Sequence, residues 1–317
     1  MPETLVTPPD GASAAPTAAL DAAHAAVQSG AVVAGLERLR DDLAAIRRAA
    51  TPESWSQAVL EARRHPLCKV MHEDPFTLRC YAKPRGYPGD SVALDFVLLA
   101  RENATLPPAR VAQVHHFTTQ GPFARALRFR RDYFARMVEE AASSARRPLQ
   151  VFAAGAGHLR ELAGSKALRD GRIARLVAFD NDPQSLDHVR REFIAAPIEA
   201  MQGSLRQLVE GRHQLVRMDL VYTSGILETL PHAAAQGIVK TLFGMLAPGG
   251  RLVLSNFLPG LPDAALLEIY FDWRMTLRNQ GEIFALAAPL PKDQIGSWLY
   301  SENAEATIGF LTIDRPG

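Results

Sequence analysis

Residues 151–162 read VFAAGAGHLREL. Apolar residues run into Gly155-Ala156-Gly157, and a helix-compatible stretch follows. A strand, a glycine turn and a helix start form the place where α/β domains receive a ribose or a phosphate. Further apolar strand segments follow at ARLVAFD (174–180), MDLVYTSG (218–225) and GRLVLSNF (250–257), with helix-compatible stretches between them. Strands that alternate with helices predict a parallel sheet in an α/β, doubly wound, Rossmann-like domain over 148–317. The segment AEATIGFLTI (304–313) is rich in β-branched and apolar residues and is expected to be a late, antiparallel edge strand.

The residues after the glycines narrow the ligand. A phosphate-binding P-loop needs a lysine and a hydroxyl residue there, and His158-Leu159-Arg160-Glu161-Leu162 supplies neither. The dinucleotide pattern GxGxxG needs a third glycine at position 160, which is Arg. S-adenosylmethionine (SAM) carries no phosphate. It needs a turn of little side-chain bulk and an acceptor for two ribose hydroxyls at the end of the next strand. Gly155 and Gly157 meet the first need and Asp180 the second. A generic α/β domain with a tight turn, binding nothing, is the alternative.

The rest of the chain is helical in pattern from 19 to 147. Leu36, Leu39, Leu43 and Ile46 recur at three- and four-residue steps. Thr51-Pro52-Glu53 reads as an N-cap, a first-turn proline and an early acid. Residues 121–146 read as a long amphipathic helix, whose basic run RALRFRR (125–131) is expected to be a solvated face. Residues 1–18, rich in Ala, Pro, Thr and Ser, are expected to form a disordered tail.

Bulk properties exclude several classes. The chain has 317 residues and a formal net charge of +1, which gives no electrostatic reason for a nucleic-acid partner. No apolar run reaches the roughly 20 residues that span a bilayer, and the N-terminus lacks the basic and apolar regions of a secretory signal. Cys68 and Cys80 are too few for a cysteine zinc cluster and are not in CxxC spacing, so no metal is expected. Free thiols fit a reducing cytoplasm. Composition leaves a homodimer open.

The glycine turn, Asp180, the loop after 218–223 and the Pro-Gly-Gly turn in MLAPGGRLVLSNF (245–257) occur in order. That set resembles class I SAM-dependent methyltransferases over residues 148–260. KPRGYPGD (83–90), GAGHLREL (155–162), DNDPQSL (180–186), SNF (255–257) and FDWRMTLRN (271–279) extend the resemblance to residues 65–280. They are similar to a bacterial group of these enzymes often labelled as extracellular-factor 3-hydroxypalmitic acid methyl ester biosynthesis proteins. Many class I enzymes have an acid in the strand before the glycines and a third small residue after them; here these places hold Ala153 and Leu159.

The resemblance implies a methyltransferase using SAM on a small-molecule acceptor: a carboxylate, hydroxyl or amine of a bacterial secondary metabolite or signal. Gly155, Ala156, Gly157, Asp180, Asn181, Gly203, Ser204, Thr223 and Ser224 are expected to touch the cofactor. Arg85, Tyr87 and Trp273 are expected at the acceptor, with Tyr87, Asp90, His115 and Glu228 as candidate catalytic groups. A hydroxyl or ammonium acceptor needs a base within hydrogen-bond reach, and a carboxylate needs none. His116 and His158 are further candidate bases. The stretch YTSGILETLP (222–231) lacks the Asn/Asp-Pro-Pro-aromatic run of enzymes that methylate amide-like nitrogens, which favours a small acceptor over DNA, RNA or protein amides. A non-catalytic SAM-binding sensor or scaffold stays open. So, more distantly, does an NAD-dependent oxidoreductase.

Overall fold

The computed structural model describes residues 16–99, 109–213, 215 and 217–317. Its centre is a seven-stranded sheet: β1 (Leu149–Ala154), β2 (Ile173–Asp180), β3 (Ile198–Gln202), β4 (Met218–Thr223), β5 (Leu246–Phe257), β6 (Ser297–Glu302) and β7 (Ile308–Asp314). The strand order is β3-β2-β1-β4-β5-β7-β6. Strands β1 to β5 pair in parallel, and β7 runs antiparallel to both β5 and β6. The four apolar runs read from the sequence are β1, β2, β4 and β5. The late strand is antiparallel as expected but lies inside the sheet, because β6 covers its outer edge.

Alternation along the strands explains why both faces are covered. Val151 and Ala153 of β1 face one side, with Leu176, Ala178, Leu220, Tyr222 and Val253. Phe152 and Ala154 face the other, with Val177, Phe179, Val221, Leu252 and Leu254. The first face carries the N-terminal helices: α1 (Thr17–Gln28), α2 (Val32–Ala49), α3 (Pro52–Arg64), α4 (Leu67–Met71), α5 (Pro75–Ala82), α6 (Ser91–Leu98), α7 (Ala109–Gln120) and α8 (Pro122–Ser144). Leu36, Leu39 and Leu43 are buried as their spacing predicts, in one cluster with the first sheet face. The helical region therefore shares its core with the sheet.

Between the strands lie α9 (Lys166–Arg169), α10 (Pro183–Glu192), α11 (Leu205–Val209), α12 (His232–Gly244), α13 (Ala264–Tyr270) and α14 (Gln280–Leu286). Thr51 caps α3, its side chain accepting from Ser54 N, with Pro52 in the first turn. Helix α1 starts at Thr17, inside the stretch expected to be disordered; residues 1–15 lie outside the described residues. Where the sequence predicts a helix after the glycine turn, only a 3-10 turn forms, Arg160–Leu162. Leu159 before it is left-handed (φ 51°), a conformation costly for a branched side chain, and is fully buried. Among the described residues no helix is long and apolar enough to cross a membrane.

Candidate functional site

In this strand order the chain reverses direction of travel between β1 and β4. That leaves a crevice at the carboxyl ends of the strands, the usual place for a ligand in doubly wound sheets. A cavity of about 810 Å³ opens there. Its floor is the turn after β1, the end of β2, and the segments after β3 and β4; its roof comes from the helical region, through the 85–89 loop, α6 and α8.

The turn is built by backbone. Gly155 N and Ala156 N both donate to Phe179 O, at 2.9 and 3.1 Å. Gly155 has φ +71°, and a Cβ there would come within 2.7 Å of Ile226 Cγ1 and 3.1 Å of Ser224 O. Only glycine fits against the loop that follows β4. Gly157 N donates to Asp180 Oδ2 at 2.8 Å, and Asp182 N to Asp180 Oδ1 at 2.9 Å. The carboxylate therefore points at the bend. Burial raises its pKa, while the N–H groups of Asp182 and Gly157 pull it back. Each oxygen keeps acceptor capacity beyond these bonds.

Of the residues expected at the cofactor, Gly155, Ala156, Gly157, Asp180, Asn181, Gly203, Ser204 and Ser224 line the cavity. Gly203 is packed tightly, since a Cβ there would meet Phe179 at 2.6 Å. The Ser204 hydroxyl is engaged in a capping box with Gln207 at the start of α11. Thr223 does not line the cavity. It is buried within β4, and its neighbour Ser224 is the residue that emerges.

The acceptor side needs two further corrections. Asp90 is 1% exposed, caps α6 through Val92 N and Ala93 N, and accepts from Arg79 Nε at 2.9 Å. His115 is buried with its Nδ1 2.7 Å from Asp74 Oδ1, inside a cluster that caps α5 and ties it to α7. Neither lines the cavity. Both were candidates by residue type, and both serve helix ends.

Tyr87, Arg85, Trp273 and Glu228 do line it. Burial, with Asp180, Asp182 and Asp90 nearby, lifts the Tyr87 hydroxyl above the usual phenol range, so it donates hydrogen bonds rather than taking protons. Arg85 Nη1 donates to Asp182 Oδ2 at 2.6 Å and Ser185 Oγ at 3.0 Å, so the 83–90 loop is pinned to the start of α10. The outer edge of the Trp273 indole packs against Gly89, where any Cβ would strike the ring. Glu228 Oε1 accepts from Arg130 Nη1 at 2.7 Å, and both side chains are buried. Its Oε2 is enclosed and has no hydrogen-bond partner.

Sequence reading missed three groups. Arg130 belongs to the basic run 125–131 expected to face solvent, yet it turns inward to Glu228 and over the Phe257 ring. Asp95 of α6 accepts from His158 Nδ1 and from Arg160 Nε and Nη2. Burial opposes its charge, but these bonds outweigh it and hold the carboxyl down at about 2. Glu161 lines the cavity from the 3-10 turn. Only its place in the glycine stretch could have flagged it.

No protein-family model and no curated protein matches the chain. Solved structures do. An exported-protein candidate from Bordetella parapertussis aligns at 16% identity and a TM-score of 0.62, over 84% of this chain and 99% of that one. Magnesium protoporphyrin IX methyltransferase from Synechocystis PCC 6803, with bound S-adenosylhomocysteine (SAH), aligns at 17% identity and 0.46, over 61% and 86%. A candidate O-methyltransferase from Nostoc punctiforme PCC 73102 aligns at 15% identity and 0.47, over 78% and 71%. The strand order and the antiparallel β7 make this an α/β fold of the class I methyltransferase type, preceded by helices.

Proposed function

We propose that this chain is a SAM-dependent methyltransferase acting on a small-molecule acceptor. The observation that carries the reading is the contact between Asp180 and the glycine bend, at the mouth of a roofed cavity. The bend offers backbone without bulk, and the carboxylate keeps lone pairs for a diol. Two charge-assisted hydrogen bonds there are worth about 3 kcal/mol or more.

When bound, SAM supplies an electrophilic methyl group for in-line displacement. The chain's own part is to hold acceptor and donor in a row and to exclude water. Positioning of this kind lowers a barrier by several kcal/mol, about 7–11 at best. Tyr87, Trp273, Leu127 and Phe134 wall the acceptor side with ring and aliphatic surface. Glu228 is the group placed to take a proton from a hydroxyl or ammonium, through its unpartnered Oε2, while Arg130 fixes the other oxygen. An acceptor that is already a carboxylate bypasses that step. The acceptor belongs to bacterial secondary metabolism or signalling.

Calorimetric titration with SAH, followed by incubation of a cell extract with methyl-labelled SAM, tests this reading. Binding plus label in the small-molecule fraction is expected. Binding without any transfer would favour the sensor or scaffold alternative, and absence of binding would end both.

A further inference from the structure

The charges around the cavity do not cancel evenly. Four acidic side chains line it: Asp95, Glu161, Asp180 and Glu228. Asp95 is ion-paired with Arg160, and Glu228 with Arg130. Asp180 is held by backbone N–H groups, which suits a residue reserved for hydroxyls. Glu161 stands differently. Its Oε1 accepts from Tyr222 Oη at 2.7 Å, and no described guanidinium or ammonium forms an ion pair with it.

The lining arginines are engaged elsewhere. Arg85 binds Asp182, Arg131 binds Asp132 and the Leu98 carbonyl, and Arg206 binds Glu210. Arg274 is largely exposed and leans toward Glu268 at 3.7 Å. Arg130 attracts Glu161 from a distance but gives its hydrogen bond to Glu228. Tyr222 itself is buried in β4 and stacked on Phe134, so it cannot follow a moving partner. Glu161 is thus a fixed, half-buried carboxyl group facing the cavity without a counter-charge.

We infer that Glu161 supplies the counter-charge for the cationic end of the bound nucleoside, so that the cavity selects a positively charged adenosyl compound over a neutral one. This rests on the cofactor reading above. Burial pushes the Glu161 carboxyl up, against the Tyr222 hydrogen bond and the Arg130 attraction. A cation entering the cavity reverses that balance and ionises the group. Binding of the cation and loss of the Glu161 proton are therefore coupled.

The test is titration of the full chain with SAM and with neutral 5′-methylthioadenosine, for the wild type and Glu161→Gln, which keeps an acceptor for Tyr222. The variant is expected to lose about tenfold or more in SAM affinity and to stay within about twofold for methylthioadenosine. Unchanged SAM affinity, or equal loss for both ligands, overturns the inference. Failure of the wild type to bind either ligand would instead overturn the cofactor reading. Should the variant not fold, the wild type alone decides. Because burial holds the Glu161 carboxyl above the ordinary carboxylate range, SAM affinity should rise more steeply with pH than that of methylthioadenosine as that group ionises. Asp180, Glu228, Arg130 and Asp95 share the cavity, Tyr222 backs Glu161, and all five are unchanged in Glu161→Gln, so parallel slopes in the wild type, or a steep SAM slope kept by the variant, overturn it.

Discussion

Asp180 does two jobs at once, closing the glycine bend through Gly157 N and offering lone pairs to the cavity. Asp180→Ala should therefore weaken SAH binding by about 3 kcal/mol, roughly a hundredfold, in calorimetry. Normal affinity in that variant would remove the residue from the site. Arg130 and Glu228 make the opposite kind of prediction. Each is buried against the other, so Arg130→Met leaves an uncompensated carboxylate. We expect about 3–5 kcal/mol of lost stability in urea unfolding; a change under 1 kcal/mol would show that the pair is solvated. Arg130 was not legible in sequence because a basic run on an amphipathic helix says surface. The inward turn depends on a carboxylate 98 positions away. Asp90 and His115 misled for the converse reason. Their chemistry is available to a site, but capping α6 and anchoring Asp74 use it first.

Among the elements, those with continuous apolar runs were readable: β1, β2, β4 and β5 are buried on both faces and look alike in sequence. Strand β3 (IEAMQ) is half-exposed along its length, and β6 (SWLYSE) leaves Trp298 and Leu299 exposed, so neither carries the burial signal. Helix α8 depends on a distant cap. Asp263, which precedes α13, accepts from Phe123 N in the first turn of α8, and burial pushes its carboxyl up to about 6, against that N–H and against Arg40 and Arg125. A folded-state value above the unfolded one means that the stabilising contribution is present below about pH 4 and is lost as pH rises through about 6. The loss is about 3 kcal/mol at most. Asp263→Asn, which can still accept from Phe123, should gain stability relative to wild type as pH rises from about 4 to about 7 in denaturant melts. A constant difference across that range would place the ionisation elsewhere.

At the scale of the molecule, the helical region and the sheet share one apolar cluster running from Leu20 to Phe310. The cavity lies under that junction, with its floor from the strands and its roof from α6, α8 and the 85–89 loop. A chain shortened to residues 148–317 would expose the sheet face that carries Val151, Leu176, Leu220 and Val253. We expect it to aggregate or stay unfolded in circular dichroism and size-exclusion experiments. A cooperative fold for that fragment would make the helices an accessory. The parallel α/β character of the sheet and its helical cover were open to sequence reasoning through strand alternation and helix periodicity, but the strand order was not. Nor was their common core, since no local pattern records which face meets which.

The central claim is that the bend near position 156 admits an adenosyl group whose sugar is held by Asp180. A crystal structure of the chain with SAH tests it most directly. The account predicts both ribose hydroxyls within about 3 Å of the Asp180 carboxylate oxygens. A nucleoside bound away from the bend, or a ribose facing other residues, would contradict it.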